Sequence, residues 1–170
     1  NPTITTAVPT HAVNRNIYTH TALGLTDFTA TSSNLDATLV KFIRGEDTNN
    51  EKRNNVLTTT RPSIHGDVIH SRPLPINYGG TTGVVVYYGA NDGTFRSVHA
   101  ATGKENWAFI APEFFPRLHR LKTGIPLLNY PTASGPNTSE TAMPKDYFFD
   151  GSTGVYQNAD NSEVWIFPSM

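Results

Sequence analysis

The stretch from Gly83 to Pro112 limits the folds open to this chain more than any other part of it. Gly83-Val-Val-Val-Tyr-Tyr88 is a short apolar run suited to a strand buried on both faces, and Gly89-Ala-Asn-Asp-Gly93 follows as a turn whose last three residues tolerate positive φ. Thr94–His99 then reads as the returning strand, Ala100–Lys104 as a second turn around Gly103, and Glu105–Ile110 as a third strand carrying Trp107. Three antiparallel strands in so short a span make up most of a four-stranded propeller blade. Composition agrees: charged residues are only 16% of the chain, and 13 Gly with 12 Pro give it the turn content of a β-protein with long loops.

The same composition excludes several roles. With 13 basic against 14 acidic side chains, no concentrated basic face for nucleic acid is expected. Cys is absent, which removes disulfides, thiolate catalysis and cysteine-held metals. The longest apolar runs, Gly83–Tyr88 and Trp107–Ala111, are strand-sized, so no transmembrane segment is expected. The chain opens Asn1-Pro2 without an initiator Met or a signal region, and reads as an excised segment of a larger protein whose export signal would lie upstream.

Outside the central stretch, residues 1–33 hold many threonines and the alternating run Ile17, Tyr18, Thr19, His20, which predicts one or two irregular strands. A helix is expected over 34–45. Ser33 and Asp36 form a capping-box-like pair, Leu35, Leu39, Phe42 and Ile43 share a face, Lys41 and Arg44 suit the negative end, and Gly45 supplies the left-handed stop. The polar residues 46–62 predict a flexible surface loop with little core. From 63 to 170 the expected unit is a propeller fragment of one complete and one partial blade. Gly66–Ile76 supplies a strand containing Val68 and Ile69, held to a sheet edge by Pro73 and Pro75. A second short helix starts at Pro112, uses Phe114, Phe115, Leu118 and Leu121, is limited by Pro116 and ends at Gly124. After a loop over 130–144, strands are expected at Asp146–Phe149, Thr153–Gln157 and Glu163–Phe167. A repeat emerges when Gly66–Pro75 is set against Asp150–Asn158 and Thr82–Gly89 against Ser162–Ser169, leaving the second blade cut in half.

Three ordered segments carry a resemblance: Gly66-Asp-Val-Ile-His-Ser-Arg-Pro73, Val85-Val-Tyr-Tyr-Gly-Ala-Asn-Asp-Gly93 and Ala100-Ala-Thr-Gly-Lys-Glu-Asn-Trp-Ala-Phe-Ile-Ala-Pro112. With Leu39–Gly45 before them and Tyr147–Gly151 after, the chain over 35–170 resembles the C-terminal propeller of the type IV pilus tip-associated assembly proteins of the PilY and PilC kind. The resemblance implies a mainly β fold, an incomplete β-propeller of quinoprotein-like blades with two short helices. It also implies export to the bacterial cell surface, outer membrane or pilus tip, and roles in pilus assembly, twitching motility and attachment. The implied partners are pilins or minor pilins and host or surface receptors. Some members carry a calcium loop beyond the blades; no equivalent loop is found in this chain, so no cofactor is expected in this segment, and any calcium site the resemblance implies would lie in the parent protein outside it. Arg72 stands where the family more often has a small polar residue, and Phe95-Arg96 where it more often has Leu-His; neither departure is expected to touch the fold.

No catalytic, cofactor-binding or metal-binding residue is predicted in this segment. Asn91-Asp92-Gly93 reads as a turn, since half a calcium loop lacks the alternating ligands and distal carboxylate the ion needs. Asn158, Asp160 and Asn161 read as a hairpin loop. His65 and His70, five apart on an expected strand, fall on opposite faces and cannot share an ion. Ser63, Ser71, Asp67 and His70 lie close in sequence, but no Gly-x-Ser-x-Gly pattern frames a nucleophile. Trp107 is expected to pin one blade to the next, in the manner of the docking tryptophans of quinoprotein dehydrogenases, and Tyr87, Tyr88, Phe95, Phe114 and Phe115 are expected in the core. A quinone-dependent dehydrogenase would need a pocket built by many blades, and a carbohydrate-binding adhesion module would need those aromatics exposed; both stand as alternatives. The open edge along Glu163–Phe167 predicts self-association or a covering segment.

Overall fold

The computed structural model describes residues 14–129, 142–160 and 162–170, together with the backbone of 131–132 and 135–136. Its main feature is a mixed sheet of six strands in the order β2-β1-β6-β5-β4-β3, comprising β1 (Ile17–Thr21), β2 (Gly24–Asp27), β3 (Leu74–Asn77), β4 (Val84–Gly89), β5 (Phe95–His99) and β6 (Glu105–Phe109). β3 to β6 form an antiparallel meander, and β1 joins β6 in parallel, Ile17 opposite Ala108, with β2 as its hairpin partner. The fold is mainly β with a few short helices, as the residues predict.

The turns behave as their sequence requires. Gly93 and Gly103 take φ of 89° and 66°, the left-handed region that a tight return between twisted strands demands. Of the three turn residues expected to tolerate that region, only Gly93 uses it. β4 is not buried on both faces: Val85, Tyr87 and Gly89 are buried, while Val84, Val86 and Tyr88 are half-buried. β5 is the central strand, with Phe95, Arg96 and Ser97 all inside.

Two short helices precede the meander where one is predicted. Thr29 caps the single turn α1 (Ala30–Ser33) through a reciprocal pairing with Ser32, and Asn34 ends it at φ 56°. Asp36, not Ser33, opens α2 (Ala37–Arg44), its carboxylate accepting from the Thr38 and Leu39 amides at 2.9 Å each. Leu35 therefore lies between helices, while Leu39, Val40, Phe42 and Ile43 form the buried face and Gly45 the left-handed cap. Pro116 sits in the first turn of α3 (Phe115–Thr123) instead of shortening it, because a donor there has no partner within the helix anyway. A 3-10 turn, Pro112–Phe114, leads into it.

One predicted strand is shortened and another is absent. Of the expected 66–76 strand only Leu74–Ile76 joins the sheet, as the start of β3. Pro73 has no amide to donate, Pro75 is tolerated because β3 is an edge, and Val68 and Ile69 stay exposed. Asp146–Phe149 crosses the meander as an irregular segment that buries Phe148 and Phe149, with Phe149 packing against Phe95, Phe109 and Phe114. The loop after α2 is pinned at its neck. Asp47 donates its amide to Thr59 O at 2.7 Å, Arg61 to Gly45 O at 2.8 Å, and the Asp47 carboxylate, fully buried, accepts from the Glu51 and Lys52 amides.

Beyond a two-residue ladder of β7 (Pro131–Thr132) and β8 (Gly135–Pro136), the chain ends in an antiparallel hairpin, β9 (Gly154–Gln157) and β10 (Val164–Phe167). This hairpin repeats β3–β4. Leu74 opposes Tyr87 as Gly154 opposes Phe167, and Asn77 opposes Val84 as Gln157 opposes Val164, each counterpart 80 positions on (154 − 74, 164 − 84). The spacing agrees with the pairing of Thr82–Gly89 with Ser162–Ser169, and corrects the other: Asp150 is the counterpart of His70, not of Gly66. Even the small residues answer each other. Gly89 donates its amide to Ser71 Oγ at 2.9 Å, and at the matching pair the two types are exchanged, with Gly151 leaving room for Ser169.

Gly89 has no free space. A Cβ there would lie 1.9 Å from the Phe149 carbonyl oxygen, whereas at Gly103 nothing lies within 4 Å. Gly89→Ala is expected to cost about 3 kcal/mol by overpacking, and Gly103→Ala about 1 kcal/mol by backbone strain. Urea denaturation of the two variants measures the difference.

Candidate functional site

The residues most unlike an ordinary core lie on the face of the meander turned toward α2. A bulge makes this possible: Ser97 opposes Trp107 while Val98 opposes Glu105, so Asn106 is the extra residue and Glu105 turns onto the face that carries Arg96. Arg96, 3% exposed, donates through Nη1 to Glu105 and through Nη2 to Asp92, and reaches Ile64 O at 3.3 Å. Glu105 accepts a bidentate pair from Arg15, 2.8 Å to each oxygen, and Arg15 continues to the carbonyls of Ile43 and Arg44 at the end of α2. Burial pushes the Asp92 and Glu105 carboxyls up, but the guanidiniums and the hydrogen bonds they receive outweigh it, and both stand below the ordinary carboxylate range. Arg96 is raised: burial opposes its charge, and the two carboxylates overcome that.

Asp92 is thus filled by protein donors. One oxygen takes the Thr94 amide and hydroxyl, at 3.1 and 2.5 Å, and the other takes the Gly66 amide at 2.8 Å and Arg96. The Asn91-Asp92-Gly93 turn offers no free oxygen of that carboxylate to a cation. In the second loop, Asp160 accepts from the Ser162 amide and hydroxyl, which holds its carboxyl low, and Asn158 accepts from the Glu163 amide; Asn161 lies outside the described residues. Among the described residues no group of three or more His, Asp or Glu is arranged to hold a metal ion.

The two histidines part company, though not for the predicted reason, since they do not lie on a strand. His65 stacks on Tyr88 and meets its hydroxyl at 2.9 Å, while His70 pairs with Asp150, whose other oxygen accepts from Asn91 Nδ2 at 3.3 Å. Ser71 serves Gly89, and Asp67 pairs with Lys145 at 2.8 Å, so Ser63, Ser71, Asp67 and His70 do not converge. Arg96 is a correction to the sequence reading. A departure expected to leave the fold untouched is the centre of its buried charge. Its signal was visible as an arginine beside Phe95 in an apolar strand, but the bulge that brings Glu105 to it was not.

The opposite face is aromatic. Tyr87 and Phe95 flank Trp107 at 6.0 and 6.3 Å between ring centroids, and Tyr87 shares a 2.9 Å hydrogen bond with Tyr78 that, after burial, raises its phenol further. Phe95, Phe114 and Tyr87 are buried, Tyr88 and Phe115 half-buried. Beside them runs a groove of about 630 Å³ lined by Tyr18, Leu25, Phe95, Trp107, Phe109, Ile166 and Pro168. Trp107 therefore faces the second hairpin across a partly open, apolar space.

Comparison with known proteins yields a distant relationship. The chain is similar to the type IV pilus biogenesis factor PilY1 of Pseudomonas aeruginosa (strain UCBPP-PA14), 30% identical over 136 residues, which cover 66% of this chain and 11% of that one. It spans about a tenth of the length of that relative. No protein-family model matches the chain, and no solved structure matches it significantly. The similarity supports a pilus biogenesis factor in general, and no helix among the described residues is long and apolar enough to cross a membrane.

Removing Arg96 alone leaves the Asp92 carboxylate without its cation and Glu105 with Arg15 alone. Arg96→Leu is expected to lose about 3–5 kcal/mol, and Asp92→Leu/Arg96→Leu to recover part of that loss. Because both carboxyls are depressed in the fold, their contribution is present above the unfolded carboxylate range and lost as pH falls through the lower folded values. Wild type should therefore weaken steeply below about pH 4, and Arg96→Leu should show a shallower acid slope in chemical denaturation across pH 3–7.

Proposed function

We propose that this chain is a non-catalytic β-propeller segment, one complete blade and part of a second, of an exported type IV pilus biogenesis factor. The similarity to PilY1 carries the reading. The four-stranded antiparallel meander and its repeated hairpin support the propeller form, since radial repetition of four-stranded units is how such folds shelter their strand edges. On this reading the segment supplies rigid surface, with His70 engaged by Asp150, Ser71 by the Gly89 amide and Asp92 by Arg96. Its partners are pilins or minor pilins and, at the cell surface or pilus tip, the receptors used in attachment.

A strain lacking the parent gene tests this. Twitching zones and surface piliation should fall to the level of a strain without pilin, and be restored by the intact gene but not by one encoding Arg96→Leu. Wild-type twitching and piliation in the deletion strain would overturn the reading.

A further inference from the structure

Arg61 is the enclosed cation whose charge the fold answers least. It lies on the irregular strap over residues 61–73, with its side chain 13% exposed. Its amide serves Gly45 O, but among the described residues its guanidinium donates no hydrogen bond. Nη1 stands 3.7 Å from Glu51 Oε1, beyond hydrogen-bond length, and the buried Nε meets no acceptor. The guanidinium lies over Phe42, 3.9 Å from the ring centre, which occupies one face and leaves the N–H groups along the edge. Burial lowers the group below arginine's ordinary value, and Glu51 and Asp92 offset only part of that. Arg15 and Arg96, enclosed still more deeply, each meet a carboxylate at hydrogen-bond distance. Water can accept from the Arg61 N–H groups but brings no opposite charge, and a buried charge is held at least cost when it is both paired and hydrogen-bonded.

This guanidinium borders a pocket of about 150 Å³, the volume of about five liquid waters. Phe42 and Ile43 from α2 and Leu121 from α3 form apolar walls, and Ser63, two residues after Arg61, brings a hydroxyl that makes no hydrogen bond among the described residues. The other polar groups at the pocket are engaged. His65 meets Gly66 O through Nδ1 and the Tyr88 hydroxyl through Nε2. Both Asp92 oxygens are filled by Gly66, Thr94 and Arg96. Asn91 accepts the Phe148 amide at Oδ1 and donates from Nδ2 to Asp150. What is left to meet a ligand is one cationic fork and one hydroxyl beside a small apolar wall.

We infer that this pocket binds a monocarboxylate, with Arg61 supplying the opposite charge and its N–H donors, Ser63 a further donor, and Phe42, Ile43 and Leu121 the surface for a short aliphatic stem. The class of ligand follows from the site. A planar guanidinium matches the two oxygens of a carboxylate better than any other common acceptor of one negative charge. A dianion such as phosphate is opposed by Asp92 at the pocket and Glu51 beyond Arg61, and the apolar walls give it nothing. The volume limits the part that enters to a carboxylate and a few carbons, which a free short-chain acid and the carboxyl end of a peptide both provide. The inference is independent of the pilus assignment.

Propionate is the probe, with propionamide as its neutral counterpart of the same shape. In an NMR titration of the 170-residue chain, propionate should shift the Arg61 Nε–H resonance saturably, with a Kd on the order of 1 mM, and propionamide should not. Arg61→Gln should abolish saturable binding, followed on the amides of the strap, and Ser63→Ala should weaken it about tenfold. Ser63→Ala leaves the Arg61 amide bond to Gly45 O and the stack on Phe42 in place, so it tests the site even where Arg61→Gln loosens the strap. Acetyl-glycyl-alanine, compared with its carboxamide, separates the two sources: tighter binding than propionate identifies a peptide's carboxyl end, weaker binding a free short-chain acid, and either upholds the site. No saturable shift with either carboxylate, an equal response to the amides, or unchanged affinity in either variant would overturn the inference, and none of these results bears on twitching or piliation.

Discussion

Arg96 is where separate parts of this chain meet. Its guanidinium ties the β4–β5 turn through Asp92, the bulged start of β6 through Glu105, and the strap before β3 through Ile64 O. From Glu105 the same chain of charges runs through Arg15 to the last carbonyls of α2, whose Arg44 in turn donates to Arg15 O at 2.6 Å and to Phe28 O at 3.1 Å. Two cations and two carboxylates balance, with the Asp92 and Glu105 side chains 16% and 14% exposed at the edge of the network. Buried ions are tolerable only when every charge is paired and hydrogen-bonded, so the network demands its geometry more than it stabilises the fold. It fixes register: a one-residue slip of β6 would return Asn106 to the place of Glu105 and leave Arg96 half-paired.

That demand explains which parts of the fold were legible. Turns with Gly93, Gly103 and Gly124, the amphipathic face of α2 and the three central strands follow from local chemistry, and each stands where its residues place it. The errors share a cause. Ser33 and Asp36 are both good caps, and only the left-handed Asn34 between them decides that they belong to two helices. Val68-Ile69 and Tyr147-Phe-Phe149 have strand-like composition, yet both are straps held by side chains distant in sequence. His70 bonds to Asp150, and Asn91 receives the Phe148 amide at 3.2 Å. The bulge at Asn106 is set by a partner strand and leaves no local trace.

The candidate sites were legible in part. A turn such as Asn91-Asp92-Gly93 looks like a ligand loop whenever its carboxylate is imagined free, and here that carboxylate is occupied by the backbone of Gly66, by Thr94 and by Arg96. The surface with most capacity for a partner is instead apolar, and its residues are scattered over β1, β2, β5, β6 and β10, so no window of sequence contains it.

The repeat connects these points. Two hairpins 80 residues apart share register, loop length and an exchanged Ser and Gly at the same contact, which requires the pair of residues to be matched across the strand as a unit. Yet they differ where their surroundings differ. β4 is flanked on both sides and carries Val85 and Tyr87 buried, whereas β10 exposes Trp165 and Phe167 by more than half. Large aromatic side chains on a strand with an open edge are costly to leave in water and prone to pair with other strands. At β10 Trp165 and Phe167 alternate with Val164 and Ile166, so they form the hairpin's outer face while Ile166 turns inward to the groove, and the two faces of one strand carry the apolar surface that β4 divides between core and neighbours.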